Sequence, residues 1–374
     1  MNIGIHSFWI DDKPAGIGTY TGNLVKNFIR MGKGEQLFLI HEKDSENEVY
    51  KKTNNVINPF LSPRQLQCLG IPYALKKYQI GLFHSVQPFY QDFLPFYVNT
   101  GVKKVLTIHD LSTLLFPETH TALSVRLINF IIKTTKGRSD RIITDSENSR
   151  RDLVKYLHIP DDKISVIHNA AGEQFRPITL RDSEKQRLEQ KYGIPGPFLL
   201  FVGTLEPRKN IPGLLKAYRR VRSRGIPHKL VIAGNKGWKY QEIFALVESL
   251  NLRNDVIFTG YVPDPDLVLL YNLADVFLYP SLYEGFGLPP LEAMACGTPV
   301  ISSDVSSIPE VVGKAGILVD PTSTDRIADA IETLVRDENY RRELRHSGLI
   351  QAKRFSWERT ARQTWSVYEE ILEG

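Results

Sequence analysis

The stretch from Ala274 to Ile301 constrains the fold more than any other part of this sequence. Ala274-Asp-Val-Phe-Leu-Tyr279 is an apolar run of strand length. Gly285 and Gly287 follow, then Pro289, Pro290 and a short helical pattern that stops at Gly297. Proline in the first helical turn and glycine just past the last is the expected asymmetry of a helix. Thr298-Pro299 breaks the chain, and Val300-Ile301 opens another strand. Strand, glycine-rich loop, helix, strand is the unit of a parallel α/β sheet, whose βα turn offers backbone N–H groups and a helix N-terminus to an anion. Two carboxylates bracket this turn: Glu284 before the loop and Glu292, expected in the first helical turn.

Acids beside an anion site need a reason. One reading makes Glu292 a partner of the helix dipole and Glu284 a solvated loop acid. The other gives the phosphates to the loop amides and gives the carboxylates to sugar hydroxyls. A nucleotide sugar carries both groups.

The restart of the same pattern fits a chain of 374 residues, enough for two domains. In the first half, Asn2–Ile5, Leu37–Ile40, Gly81–His84, Val102–Ile108 and Arg141–Thr144 read as strands, and Ile164–Asn169 closes the half. In the second half, Phe198–Val202, Lys229–Ala233 and Val256–Thr259 do so. Pro177–Lys191 is charged and reads as a linker plus a leading helix. The expected division is 1–178 for the first domain, 192–355 for the second, and a final helix at 356–374. Leu123–Lys136 is an amphipathic helix with Arg126, Lys133 and Lys136 beside Leu127, Phe130 and Ile131; a core-facing helix with a solvated basic face is the expectation.

Three positions fall where parallel sheets bind ligands, at the C-terminal ends of strands. His109-Asp110 closes the Val102–Ile108 strand. Arg208-Lys209, with Asn210 placed to cap the next helix, follows Gly203 after Phe198–Val202; two adjacent cations there suit phosphates. His84 also ends a strand, and a structural role suits it as well as a functional one. Gly16-x-Gly18-x-x-x-Gly22 invites a dinucleotide reading with Glu42 as the ribose acid, but about ten residues separate Gly16 from the first strand, and the fingerprint requires glycine directly after it.

Composition excludes several classes. Cys68 and Cys296 are too few for a disulfide scaffold or a thiolate zinc site. The N-terminus lacks the features of a signal peptide, and no apolar run approaches the ~20 residues of a membrane span, so a cytoplasmic protein is expected. Net charge is +5, of which residues 1–175 carry +4. The cations are scattered, which argues against nucleic acid; the first half is the one to meet an anionic membrane surface, so a peripheral contact on the inner membrane face is kept open.

Glu284-Gly-Phe-Gly-Leu-Pro-Pro-Leu-Glu292 resembles the Glu-x7-Glu motif of retaining glycosyltransferases of family 4, and the likeness continues through Ala293-Met-Ala-Cys-Gly-Thr-Pro-Val-Ile301. Gly203-Thr-Leu-Glu-Pro-Arg208-Lys209-Asn210 is similar to the family's phosphate clamp, and Thr107-Ile-His109-Asp110 to its strand ending in His-Asp. The resemblance covers nearly the whole chain. It implies the GT-B fold, two Rossmann-like α/β domains whose parallel sheets face each other across a cleft. The N-terminal domain would take the acceptor, a glycan or lipid-linked hydroxyl, and the final helix would cross back to it. The C-terminal domain would take the nucleotide sugar.

On this resemblance the donor is held by Gly16, Gly18, Gly203, Arg208, Lys209, Val262, Gly287, Leu288 and Glu292. Glu292 would take the ribose, Val262 the base, Glu284 sugar hydroxyls, and His109 the sugar near its anomeric carbon. Family members often carry a glycine pair where this chain has Ala15-Gly16. Arg208, Lys209 and the helix start would stabilise the departing diphosphate in place of a metal ion, with no further cofactor and with front-face attack assisted by the leaving phosphate. The motifs look most like bacterial mannosyltransferases of surface-polysaccharide assembly that use GDP-mannose; UDP-glucose or another UDP-sugar is the alternative donor. A sugar-nucleotide epimerase would lack the Glu-x7-Glu motif. A non-catalytic sugar-nucleotide sensor would be expected to have lost Glu284, His109 or Lys209.

Overall fold

A computed structural model describes residues 1–10, 16–42, 45–58, 67–88, 92–98 and 101–373. The chain divides into two compact units, Met1–Asn169 with Ser356–Gly374, and Ala170–Phe355. It enters the second unit before the expected linker, because Phe175 and Leu188 already belong to the second core. The charged segment expected to lead that unit forms the helix Asp182–Tyr192.

The first unit is built on seven parallel strands: β1 (Ile3–His6), β2 (Leu37–His41), β3 (Asn54–Ile57), β4 (Leu82–Ser85), β5 (Lys103–Thr107), β6 (Arg141–Thr144) and β7 (Ile164–Val166). Their order is 3-2-1-4-5-6-7. Sequence reading passed over β3, whose Asn54-Asn55 start lacks strand propensity. The second unit has six parallel strands: β8 (Phe198–Val202), β9 (Lys229–Ala233), β10 (Val256–Gly260), β11 (Val276–Tyr279), β12 (Val300–Ser303) and β13 (Ile317–Val319). Their order is 10-9-8-11-12-13. Both sheets are therefore doubly wound, and each reverses direction once, between β1 and β4 or between β8 and β11. Crevices for ligands open at such switch points, beyond the C-terminal ends of the strands.

The helix Gly16–Arg30 begins at Gly16 itself, so Gly16, Gly18 and Gly22 lie within helical turns and not in a loop. The buried face Tyr20, Leu24, Val25 and Phe28 holds this start in the helix despite the glycines. Ala15 lies outside the described residues. The last helix, Trp357–Glu373, belongs to the first unit. Ser356 accepts from the N–H of Arg359 at its start. Trp365 and Tyr368 pack against Phe28, with ring centroids 5.2 and 5.8 Å away. His84, fully buried, joins Tyr368 (2.5 Å) to Thr107 (2.7 Å) and is thus a structural tie.

One helix departs from expectation. Ala122–Thr135 buries Ile131, Ile132 and Thr135, but Leu127 and Phe130, expected in the core, are 41% and 55% exposed, and Leu123 is 77% exposed. Helical geometry explains this: Leu123, Leu127 and Phe130 share one face, and Ile128, Ile131 and Thr135 the other. Phe130 stacks on Phe93, itself stacked on Tyr97. Among the described residues no helix is long and apolar enough to cross a membrane.

Candidate active site

At the β8/β11 switch point the chain assembles four charges. Gly203 directly follows β8, and a short 3-10 turn, Pro207–Lys209, carries Arg208 and Lys209. Loop residues after β11 bring Glu284 to them. Lys209 Nζ donates to Glu284 Oε1 at 2.7 Å and to the Tyr279 hydroxyl at 2.7 Å. Arg208 donates to Glu284 Oε2 at 2.8 Å, to the Tyr283 carbonyl at 2.7 Å and to Glu206 Oε1 at 2.9 Å. The Tyr279 hydroxyl also donates to Glu284, at 3.0 Å. Two cations face two carboxylates, so the cluster is balanced before any ligand arrives.

Burial makes these contacts strong. Glu206, Glu284 and Lys209 are 4%, 7% and 8% exposed, which removes most solvent screening. Burial opposes ionisation of Glu284, yet Arg208 and Lys209 prevail and hold its carboxyl down at about 2. Burial and the like charge of Arg208 draw the Lys209 ammonium below its ordinary value, against the pull of Glu284 and Glu206. Burial raises Glu206, opposed by the same two cations. Sequence reasoning missed Glu206 and Tyr279. The signal for Glu206 was present: an acid two residues before Arg208 at a buried strand end.

The loop after Glu284 is fixed from below. The Ser307 hydroxyl donates to the carbonyls of Glu284 and Phe286 at 2.9 and 2.8 Å, and the Glu284 N–H donates to Ser306 Oγ at 3.0 Å. The helix Leu288–Cys296 starts directly after Gly287, whose φ of 113° suits glycine. A Cβ there would also lie 2.7 Å from Ile308 Cδ1. On the other side of β8, a Cβ on Gly234 would meet the carbonyl oxygen of Gly203 at 2.0 Å, so Gly203 and Gly234 pack backbone to backbone at the mouth. Val262 is buried between β10 and the helix Asp264–Leu273, at the same edge of the sheet.

Two expectations need correction here. Glu292 is the fifth residue of its helix, not a member of the first turn. The helix begins at Leu288, ahead of both prolines, so Glu292 falls in the second turn, beyond the reach of the N-terminal dipole. It is half-buried, accepts from the Tyr271 hydroxyl at 3.0 Å, and is raised to about 7 by burial against that hydrogen bond. Asn210 stands at the start of the helix Ile211–Ser223 but does not cap it with its side chain. Its amide donates instead to the carbonyls of Pro280 (3.1 Å) and Pro321 (2.7 Å), tying the β8 turn to two other loops.

Two further groups of this unit have surroundings of their own. Asp264-Pro-Asp266 has the form of a metal-binding Asp-x-Asp, but Asp266 is bonded to Arg187, Lys191 and Tyr192 at 2.6–2.7 Å and Asp264 accepts from Gln174. The Cys296 thiol is buried and pushed up to about 12 by burial and by Glu292, which disfavours the reactive thiolate.

In the first unit, His109 follows β5. Nδ1 lies 2.7 Å from Asp145 Oδ2, and Nε2 lies 3.0 Å from the Val86 carbonyl oxygen. The Tyr20 ring meets it edge-on at 4.9 Å, so the glycine-rich helix start contributes to placing this histidine.

Two doubly wound parallel sheets, one with a buried cation pair at its switch point, are the architecture of the GT-B fold. Residues 14–175 match the family model "Glycosyltransferase Family 4", and residues 184–349 match "Glycosyl transferases group 1". O-antigen chain mannosyltransferase B of Escherichia coli is 34% identical, over 95% of this chain and 96% of that protein. Serotype-specific mannosyltransferase WbdA of Escherichia coli is 35% identical over 74% of this chain, which corresponds to 34% of its own length. Sucrose-phosphate synthase from Thermosynechococcus elongatus shares the fold, with a TM-score of 0.82 at 22% identity, over 100% of this chain and 99% of that one. The chain belongs to glycosyltransferase family 4. It is an enzyme that transfers a sugar.

Proposed function

We propose that this glycosyltransferase moves a mannosyl group from GDP-mannose to a hydroxyl of a glycan or lipid-linked acceptor in surface-polysaccharide assembly, with retention of configuration and without a metal ion. The observation that carries the proposal is the buried Arg208–Lys209–Glu284 cluster beside the Gly287 helix start. A donor diphosphate would take Arg208 and Lys209, and Glu284 would turn from its internal cations to the sugar hydroxyls. Charge grows on the diphosphate as the glycosidic bond breaks, and a preorganised cation pair stabilises that charge. Glu292 would accept the ribose hydroxyls and the main chain at Val262 would meet the base. Gly203 and Leu288 would line the same site. Support for mannose comes from the E. coli O-antigen mannosyltransferase, similar along nearly its whole length.

The acceptor side supports a place on the cytoplasmic face of a membrane. Leu123, Leu127 and Phe130 form an exposed apolar stripe, flanked by Arg126, Lys133 and Arg138. An apolar stripe bordered by cations suits the interface of an anionic bilayer.

A screen of GDP- and UDP-linked hexoses, each with excess chelator, tests the reaction. Turnover of GDP-mannose above all others, unaffected by chelator, is the expected result. Preference for a UDP-sugar would replace the donor, and activity lost to chelator but restored by Mn²⁺ would end the metal-free mechanism.

A further inference from the structure

Both ring nitrogens of His109 face oxygen atoms that accept hydrogen bonds. The Val86 carbonyl can do nothing else, and an ionised Asp145 carboxylate can do nothing else. Each contact therefore requires an N–H. A neutral imidazole has one, and an imidazolium has two. Only the charged ring satisfies the pocket as built.

The groups around the ring agree with this state. Burial works against the charge, but Asp145, Asp110 and the Val86 carbonyl outweigh it and raise His109 above the ordinary imidazole range. From β4, His84 is pushed down to about 3 by burial and by the charge of His109, so it adds no second cation. From the helix Gly16–Arg30, the buried Tyr20 phenol is raised by burial and by Asp145 and stays neutral. The Ser149 hydroxyl donates to the His109 carbonyl at 3.1 Å, which fixes the main chain beneath the ring. Asp145 is 3% exposed, and its Oδ1 has no hydrogen-bond partner among the described residues, so its hydrogen bonding is directed at His109 alone.

We infer that His109 acts as a fixed imidazolium charge at the end of β5, held by Asp145 as a positioning residue, and that it supplies positive potential to an anionic ligand rather than a lone pair or a transferable proton. The role in transfer rests on the proposed reaction; the state of the ring does not.

Nitrogen-detected NMR of the full chain with labelled histidine, free of ligand, reads that state, and His109→Asn assigns the signals. Two protonated ring nitrogens at neutral pH are expected, with titration above the usual imidazole range. In Asp145→Asn the titration should fall by about one pH unit or more. The alkaline limb of kcat against pH should fall with it, and Asp145→Glu should restore both. A single N–H on His109 at neutral pH overturns the inference, as does an alkaline limb that Asp145→Asn leaves in place. If no nucleotide sugar is turned over, the proposed reaction fails while the NMR result still decides the charge.

Discussion

The two sheets turn at equivalent places and put different chemistry there. Between β1 and β4 lie His6, Ser85 and Asp92, all buried, with His6 Nδ1 and the Ser85 hydroxyl each 2.7 Å from the Asp92 carboxylate. One carboxylate serves two neighbours, and the Ser85 hydroxyl also reaches the Gln87 carbonyl at 2.8 Å. Between β8 and β11 lie two cations and two carboxylates, and in the proposed reaction a diphosphate would offer Arg208 and Lys209 the same kind of oxygen that Glu284 offers. Topology supplies a crevice in both units, and the side chains decide whether it is an anion site.

The largest test of that contrast is Lys209→Ala. In the proposed donor complex Arg208, the loop amides and the helix start would share the diphosphate charge in the ground state, so donor affinity should change little. In the transition state more charge develops, and loss of one preorganised donor costs ~10²–10³ in kcat. Calorimetric donor affinity beside turnover at saturation separates the two. Collapse of affinity with near-normal kcat would make Lys209 a docking charge only.

A middle-sized effect belongs to the first unit. Leu127→Ser with Phe130→Ser should weaken sedimentation with anionic vesicles by roughly tenfold or more, since each apolar side chain contributes about 1.5–3 kcal/mol when fully buried. Zwitterionic vesicles and high salt should weaken binding of the unaltered protein as well. Binding indifferent to these substitutions would leave the stripe without a membrane role.

The smallest effect is on stability. Glu292 is raised to about 7 from an ordinary 4.5, so between those values the folded chain binds more protons than the unfolded one. Stability therefore falls as pH rises through that window. Glu284, held at about 2, works in the opposite sense, with a contribution present above 4.5 and lost as pH falls towards 2. Glu292→Gln should raise the melting temperature at pH above 7 more than at pH near 5. Equal shifts at both would mean that Glu292 is ionised throughout.

Much of this was legible in the sequence, for identifiable reasons. Strands β8, β9 and β11 are largely buried and read as apolar runs, and the glycine–proline punctuation placed the helix Leu288–Cys296 within a residue or two. Arg208, Lys209 and Glu284 were individually visible. That they neutralise one another was not, because pairing across 75 or 76 residues is a property of the closed sheet. The outward face of Ala122–Thr135 was misread because periodicity shows that a helix has an apolar stripe, not which way it points. Glu292 was placed one turn early because the prolines after Gly287 drew the helix start forward.

The final helix has a further consequence, in the order in which the protein is made. Trp357, Trp365 and Tyr368 complete the packing around Tyr20 and Phe28, and Thr360 donates to the His168 carbonyl at 2.6 Å. All of them are translated after the whole second unit. The ribosome thus delivers a complete second core while the first still lacks its last wall. The half of the chain that is synthesised first is the half whose folding is finished last.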